Sequence, residues 1–162
     1  MYYDVHLLPA EATDDPRAAI VRRAAEDLAD LHEDDPRVLD PLIVAQVRET
    51  WVRPGEGLRI DDEHGRVTVR LPYWYVGKKA REQAKVVHAV VKELERATGW
   101  RGYDPQLDDW FTGRSHKDTA AVLDAVAEFQ AREKMDSPAV DARRAERAAA
   151  GRPRPLFRRG SS

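Results

Sequence analysis

The chain has 162 residues and a mass of 18.4 kDa, a length that fits one domain with a modest extra element. It carries 27 basic and 29 acidic residues, a net charge of -2, which excludes an overall polycation built to coat nucleic acid. It has no cysteine, which removes disulfides, thiolate nucleophiles, Fe–S clusters and Cys-ligated zinc.

The elements follow in chain order. Tyr2 to Leu8 alternates as a strand, with Tyr3, Val5 and Leu7 on one face, and Pro9 ends it. Asp15–Pro16 then reads as an N-cap and first helical residue. Ile20, Ala24, Leu28 and Leu31 recur at helical spacing and predict one buried face, stopped by Glu33–Asp34–Asp35. Asp40–Pro41 repeats the start signal for a shorter helix carrying Leu42, Ile43, Val47 and Trp51, closed by Pro54–Gly55.

Gly57 to Asp61 and Arg66 to Val76 read as two strands around a turn at Asp62 to Gly65. Val67, Val69, Leu71, Tyr73 and Tyr75 share one face of the second, and Pro72 marks it as an edge or a bulge. A long helix over 78–98 carries the stripe Ala80, Ala84, Val87, Val91 and Leu94, with Gly99 as its C′ residue. Trp100 to Tyr103 is a last short strand, closed by Asp104–Pro105.

Without the extra helix the order is βαββαβ, the ferredoxin-like order, which predicts an α+β fold for residues 1–110 with two helices on one face of an antiparallel sheet. Beyond it, Ser115 and Asp118 have capping-box spacing, followed by an amphipathic helical appendage over 111–135 carrying Ala121, Val122, Val126 and Phe129. Residues 136–162 read as an Ala/Arg-rich helix and a flexible basic tail. Of 34 Leu, Ile, Val and Phe residues, 27 lie in residues 1–111, so the core is expected mainly there.

Charge is unevenly spread. Residues 1–65 hold 16 acidic and 7 basic residues, whereas residues 136–162 hold 3 and 7. Like charges at this density repel one another, and a basic partner offsets the cost and supplies steering. Asp27, Asp30, Glu33, Asp34 and Asp35 are therefore candidate binding residues for a basic protein. The alternative is a solvated acidic face. In the tail, Leu156, Phe157, Arg158 and Arg159 combine apolar anchors with cations, suited to docking on the acidic half of this chain or of a second copy.

Tyr73, Trp74 and Tyr75 are candidates for core packing, for a protein-binding face, or for base stacking in a nucleic-acid-binding protein that would also use the basic tail. Asp104, Asp108, Asp109 and His116 fall in one stretch whose hard oxygen donors suit Mg²⁺ or Ca²⁺, which leaves a small hydrolase or metal-dependent enzyme as a further alternative, although the spacing is not that of an EF-hand. Solvated loop acids explain the same residues. No GxSxG, GxxxxGK[ST] or HExxH pattern occurs, so no catalytic residue, cofactor or metal is assigned. The N-terminus lacks a basic region and long apolar run, so a cytoplasmic setting and no membrane association are expected.

The opening Tyr3-Asp4-Val5, the helix ending at Gly99 and the run Tyr103-Asp104-Pro105-Gln106 resemble a broad group of small bacterial proteins, some immunity- or toxin-associated, whose sheet ends in a Tyr-Asp-Pro-Gln strand. The resemblance covers roughly residues 1–110. It implies a binding role, with Tyr103 and Asp104 among the binding residues and possession of no particular mechanism.

Overall fold

The computed structural model describes residues 2–11, 14–26, 35–63, 66–111, 114–133 and 138–150. The fold is α+β, with one antiparallel sheet of five strands and five helices among the described residues. The strands are β1 (Tyr2–Leu8), β2 (Arg59–Glu63), β3 (Arg66–Pro72), β4 (Arg101–Asp104) and β5 (Asp109–Trp110), in the spatial order β2-β3-β1-β4-β5. The helices are α1 (Pro16–Ala25), α2 (Pro41–Trp51), α3 (Gly77–Thr98), α4 (His116–Arg132) and α5 (Pro138–Ala150).

The helix starts form where the sequence places them. Asp15 accepts from Ala18 N at 2.9 Å and Asp40 from Leu42 N at 2.8 Å, each followed by a proline whose missing N–H costs nothing there. Ser115 and Asp118 form the reciprocal capping box of α4. Gly99 ends α3 at φ 73°, a left-handed conformation that glycine adopts without steric cost. The N-terminus of α3 has no cap of its own. Instead Gly77 N donates to Asp124 Oδ1 of α4 at 2.9 Å, and the Glu146 carboxylate of α5 lies against Gly77.

The pleat sorts the sheet into two unlike faces. Tyr3, Val5 and Leu7 of β1, Ile60 of β2, and Val67, Val69 and Leu71 of β3 are buried on one side. There they meet Val44 and Val47 of α2, Val87, Val91 and Leu94 of α3, and Leu123 of α4 in a single cluster. Asp4, His6, Thr68, Arg70 and Asp61 occupy the other side, set in register by the pairs Asp4↔Arg70, His6↔Thr68 and Asp61↔Thr68. Helix α1 lies on that second side, where Ala19 and Ile20 pack with Leu8, Tyr103 and Trp110.

Two of the helix faces match the expected ones only in part: Ile20 of α1 and Val122 and Val126 of α4 pack inward as expected, while Leu28 and Leu31 lie outside the described residues. In α1 the buried residues are Ala19 and Arg23, while Ala24 is exposed. In α4 they include Ala120, Leu123 and Ala127, with Phe129 55% exposed. Leu42 of α2 is also exposed, and Val44 takes the core position. In α1 and α4, with four and five alanines, the pattern does not single out one stripe and the neighbours decide. The strand over 66–76 stops at Pro72, which ends the pairing, and the chain turns at Tyr73–Trp74. The second strand sits two residues later than expected, and β5 was not anticipated, being two residues long.

Candidate functional site

Two polar clusters stand out, one at each face of the sheet. The first is buried where β1, β4, α3 and α4 meet. Asp104 is fully buried and accepts from the Tyr3 hydroxyl, from Arg114 at 3.2 Å, and from the backbone N–H groups of Gln106 and Leu107 at 2.8 and 3.2 Å. A carboxylate only accepts, which fixes the direction of the chain behind it. Tyr3 donates to Asp104, so it accepts from Thr119 at 3.1 Å, and Thr119 in turn accepts from His88 Nε2 at 3.1 Å. His88 thus carries a proton on Nε2, and its ring lies 4.2 Å from that of Phe111. Burial, with His116, Lys92 and Arg114 nearby, pushes His88 down to about 4. Burial beside Asp104 holds the Tyr3 hydroxyl well above the usual phenol range.

This cluster explains the Tyr-Asp-Pro-Gln run. Asp104 is its hub. Pro105 offers its carbonyl to Arg17 at 3.3 Å. The Gln106 carboxamide, with its nitrogen toward β1, donates to Asp4 O at 2.9 Å and to Asp104 Oδ1 at 3.0 Å. It stands where a strand partner would otherwise be, because β4 pairs with β1 only over His6 to Leu8. Tyr103 points to the other face, donates to Asp108 and packs on Trp110 at 5.6 Å between ring centres.

The second cluster is a cleft of about 350 Å³ between α1 and the polar face of the sheet. Its floor carries Arg66, Thr68 and Arg70 in line along β3, with His6 on one side and Asp61 on the other. His6 Nδ1 lies 3.2 Å from the Thr68 hydroxyl, and burial pushes the imidazole below its ordinary value. Arg70 reaches Asp61 at 2.7 Å and stands 3.5 Å from Asp4, too long for a hydrogen bond. Burial raises the Asp4 carboxyl, opposed by Arg70. Leu8, Ile20 and Ala24 supply an apolar wall.

No family model, no characterised protein and no solved structure matches this chain at a significant level.

The remaining candidates are dispersed. Tyr73 is 5% exposed in the core, and burial with Asp104 and Asp4 nearby pushes its hydroxyl up to about 12. Tyr75 is half-buried and donates to the Glu56 carbonyl. Trp74, 43% exposed, is the one of the three that offers a broad ring to solvent. They therefore do not form a shared aromatic platform, since the chain turns between them. Asp35 pairs with Arg37 at 2.8 Å, and that guanidinium holds its carboxyl down to about 2. Asp27, Asp30, Glu33, Asp34, Arg158 and Arg159 lie outside the described residues.

Nor do the acids of the 104–116 stretch converge. Asp104 faces inward, Asp108 pairs with Arg17 at 2.8 Å, and Asp109 bonds the Trp110 N–H at 2.7 Å. Among the described residues, no three His, Asp or Glu side chains are grouped to hold a metal ion, and no helix is long and apolar enough to cross a membrane. Reading the sequence alone missed Thr68, Arg66, Thr119 and His88. Only the two-residue spacing of Asp4 and His6 signalled the polar face of β1.

Proposed function

We propose that the chain is a non-enzymatic, immunity-like protein-binding module whose acidic N-terminal side takes a basic partner protein. The observation that carries this is the placement of the acidic segment's flanks. Arg23 of α1 donates to the Arg37 carbonyl at 2.7 Å, so the chain leaves α1 after Glu26 and re-enters at Asp35 beside the same turn. In the sequence, Asp27, Asp30, Glu33 and Asp34 fall between these two points, and Glu26, just before them, is exposed. Concentrated charge of one sign raises the encounter rate with an oppositely charged surface.

Within this reading, residues 1–110 form a ferredoxin-like βαββαβ unit in a cytoplasmic protein. The order β2-β3-β1-β4, with α2 and α3 together against one face, supports that topology, with α1 and β5 as additions. A second copy of the chain is the other partner of suitable charge, through its basic tail.

The test is affinity capture from the native organism at low ionic strength. A parallel capture uses a variant with Asp27, Asp30, Glu33 and Asp34 changed to their amides. The expected result is a basic protein retained by the parent chain, released by moderate salt and lost with the variant. Retention that ignores the four substitutions would overturn the proposal, as would capture of nothing but nucleic acid.

A further inference from the structure

Three arginines border the cleft between α1 and the sheet, and they are not equivalent. Arg70 is matched by Asp61 at 2.7 Å. Arg23 stacks on Trp100, 5.0 Å from the ring centre. Arg66, half-buried, donates from Nε to the Glu63 carbonyl at 3.3 Å and from one amino nitrogen to the Arg23 carbonyl at 2.9 Å. Both acceptors are neutral. No carboxylate among the described residues lies within ion-pair distance of Arg66, so its full charge is positioned without being neutralised. Its position is fixed as well, because the Arg23 carbonyl belongs to the last turn of α1, whose carbonyls have no partner within the helix.

Thr68 stands next to Arg66 on the same face of β3, with its hydroxyl paired to the imidazole of His6. That side chain is 9% exposed, so its geometry is set by packing rather than by solvent. A guanidinium, a hydroxyl and an imidazole line a recess of about 350 Å³ that has one apolar wall and, in Asp61 and Glu63, two carboxylates, the elements of a small-ligand site. Guanidinium and hydroxyl donors in a row match the acceptor oxygens of a planar or tetrahedral oxyanion.

We propose that this cleft binds a small oxyanion-bearing ligand, a carboxylate or a phosphate, gripped by Arg66 and by the Thr68 hydroxyl, whose oxygen accepts from His6 Nδ1 so that its own proton is left for the ligand. None of the residues named for this site belongs to the acidic segment assigned to the protein partner. The surrounding acids repel an approaching anion at long range, and salt screens that repulsion. The half-buried contacts are screened less, so affinity holds or rises between low and physiological ionic strength. Adventitious anion binding to exposed arginines does the reverse.

The experiment is calorimetric titration of the full chain with inorganic phosphate and, in a separate arm, with succinate. One-site saturation by one of the two is expected, and which one saturates identifies the source of the oxyanion. Affinity should fall about tenfold or more in Thr68→Val and in Arg66→Gln, the size of a lost charge-assisted bond. It should be unchanged in Arg59→Gln, an exposed arginine of β2 outside the cleft. Should Arg66→Gln lose its cooperative melt through release of α1, Thr68→Val, which keeps the shape of the side chain, decides the matter. No saturation with either anion up to about 10 mM, far weaker than ordinary ligand affinities, would overturn the proposal. So would parent-like affinity in Thr68→Val, or binding of a short oligonucleotide alone.

Discussion

The two faces of one sheet are treated in opposite ways. On the face toward α2, α3 and α4, the buried carboxylate of Asp104 is saturated by a tyrosine, an arginine and two backbone amides. On the face toward α1, ionic side chains are partly wet and imperfectly matched; Arg70 shares itself between Asp61 and Asp4, and Arg66 rests on carbonyls. A buried charge demands full satisfaction because the interior screens nothing, whereas a solvated one tolerates slack. The saturated cluster is therefore architecture, and the slack one is where a ligand can still gain contacts.

The sharpest way to break the comparison is Asp104→Asn. It leaves Arg114, whose side chain is 11% exposed, without its counter-charge. The expected loss is about 3–5 kcal/mol of unfolding free energy, read from urea denaturation. A loss below about 1 kcal/mol, the range of an exposed pair, would show that the two faces do not differ.

Acid should act next most strongly, through His88. Its folded value near 4 lies below the ordinary 6.5, so between those values the unfolded chain takes up a proton that the folded chain refuses. His88 therefore favours the fold fully above pH 6.5, and that contribution is lost as pH falls toward 4. The size is roughly 2–3 kcal/mol. Urea midpoints from pH 7 to 4 for the parent and for His88→Gln check it, the variant lacking this part of the decline.

The smallest effect is expected on the polar face. Asp61→Asn removes a pair whose side chains are 31% and 38% exposed and should cost about 0–1 kcal/mol. A cost like that of Asp104 would mean that this face, too, is built for stability.

Much of the fold was legible from local signals, and the candidate sites were not. Asp15–Pro16, Asp40–Pro41 and Ser115 with Asp118 start helices because caps act over three residues and need no distant partner. The stripe of α3 and the alternation of β3 stand out because both elements are long or strongly apolar. Which face of the sheet α1 would cover was hidden, because that depends on Leu8 and Tyr103, residues far from it in sequence. Asp104 reads as a loop acid until β4 places it beneath Tyr3, 101 positions away. Thr68 and Arg66 look like the solvent side of a strand, and only the arrival of α1 turns them into the floor of a cleft.

One modest contact bears on how copies of this protein behave together. The outer side of β2 is the rim of the sheet, where unsatisfied backbone groups invite another chain to add a strand. Arg48 of α2 reaches over and places two donors on the Ile60 carbonyl, at 2.9 and 3.2 Å. An incoming strand would have to displace a charged side chain before forming its first bond there. The rim is thereby guarded against stacking into fibrils, a defence that operates at high concentration and leaves the lone molecule's folding nearly untouched.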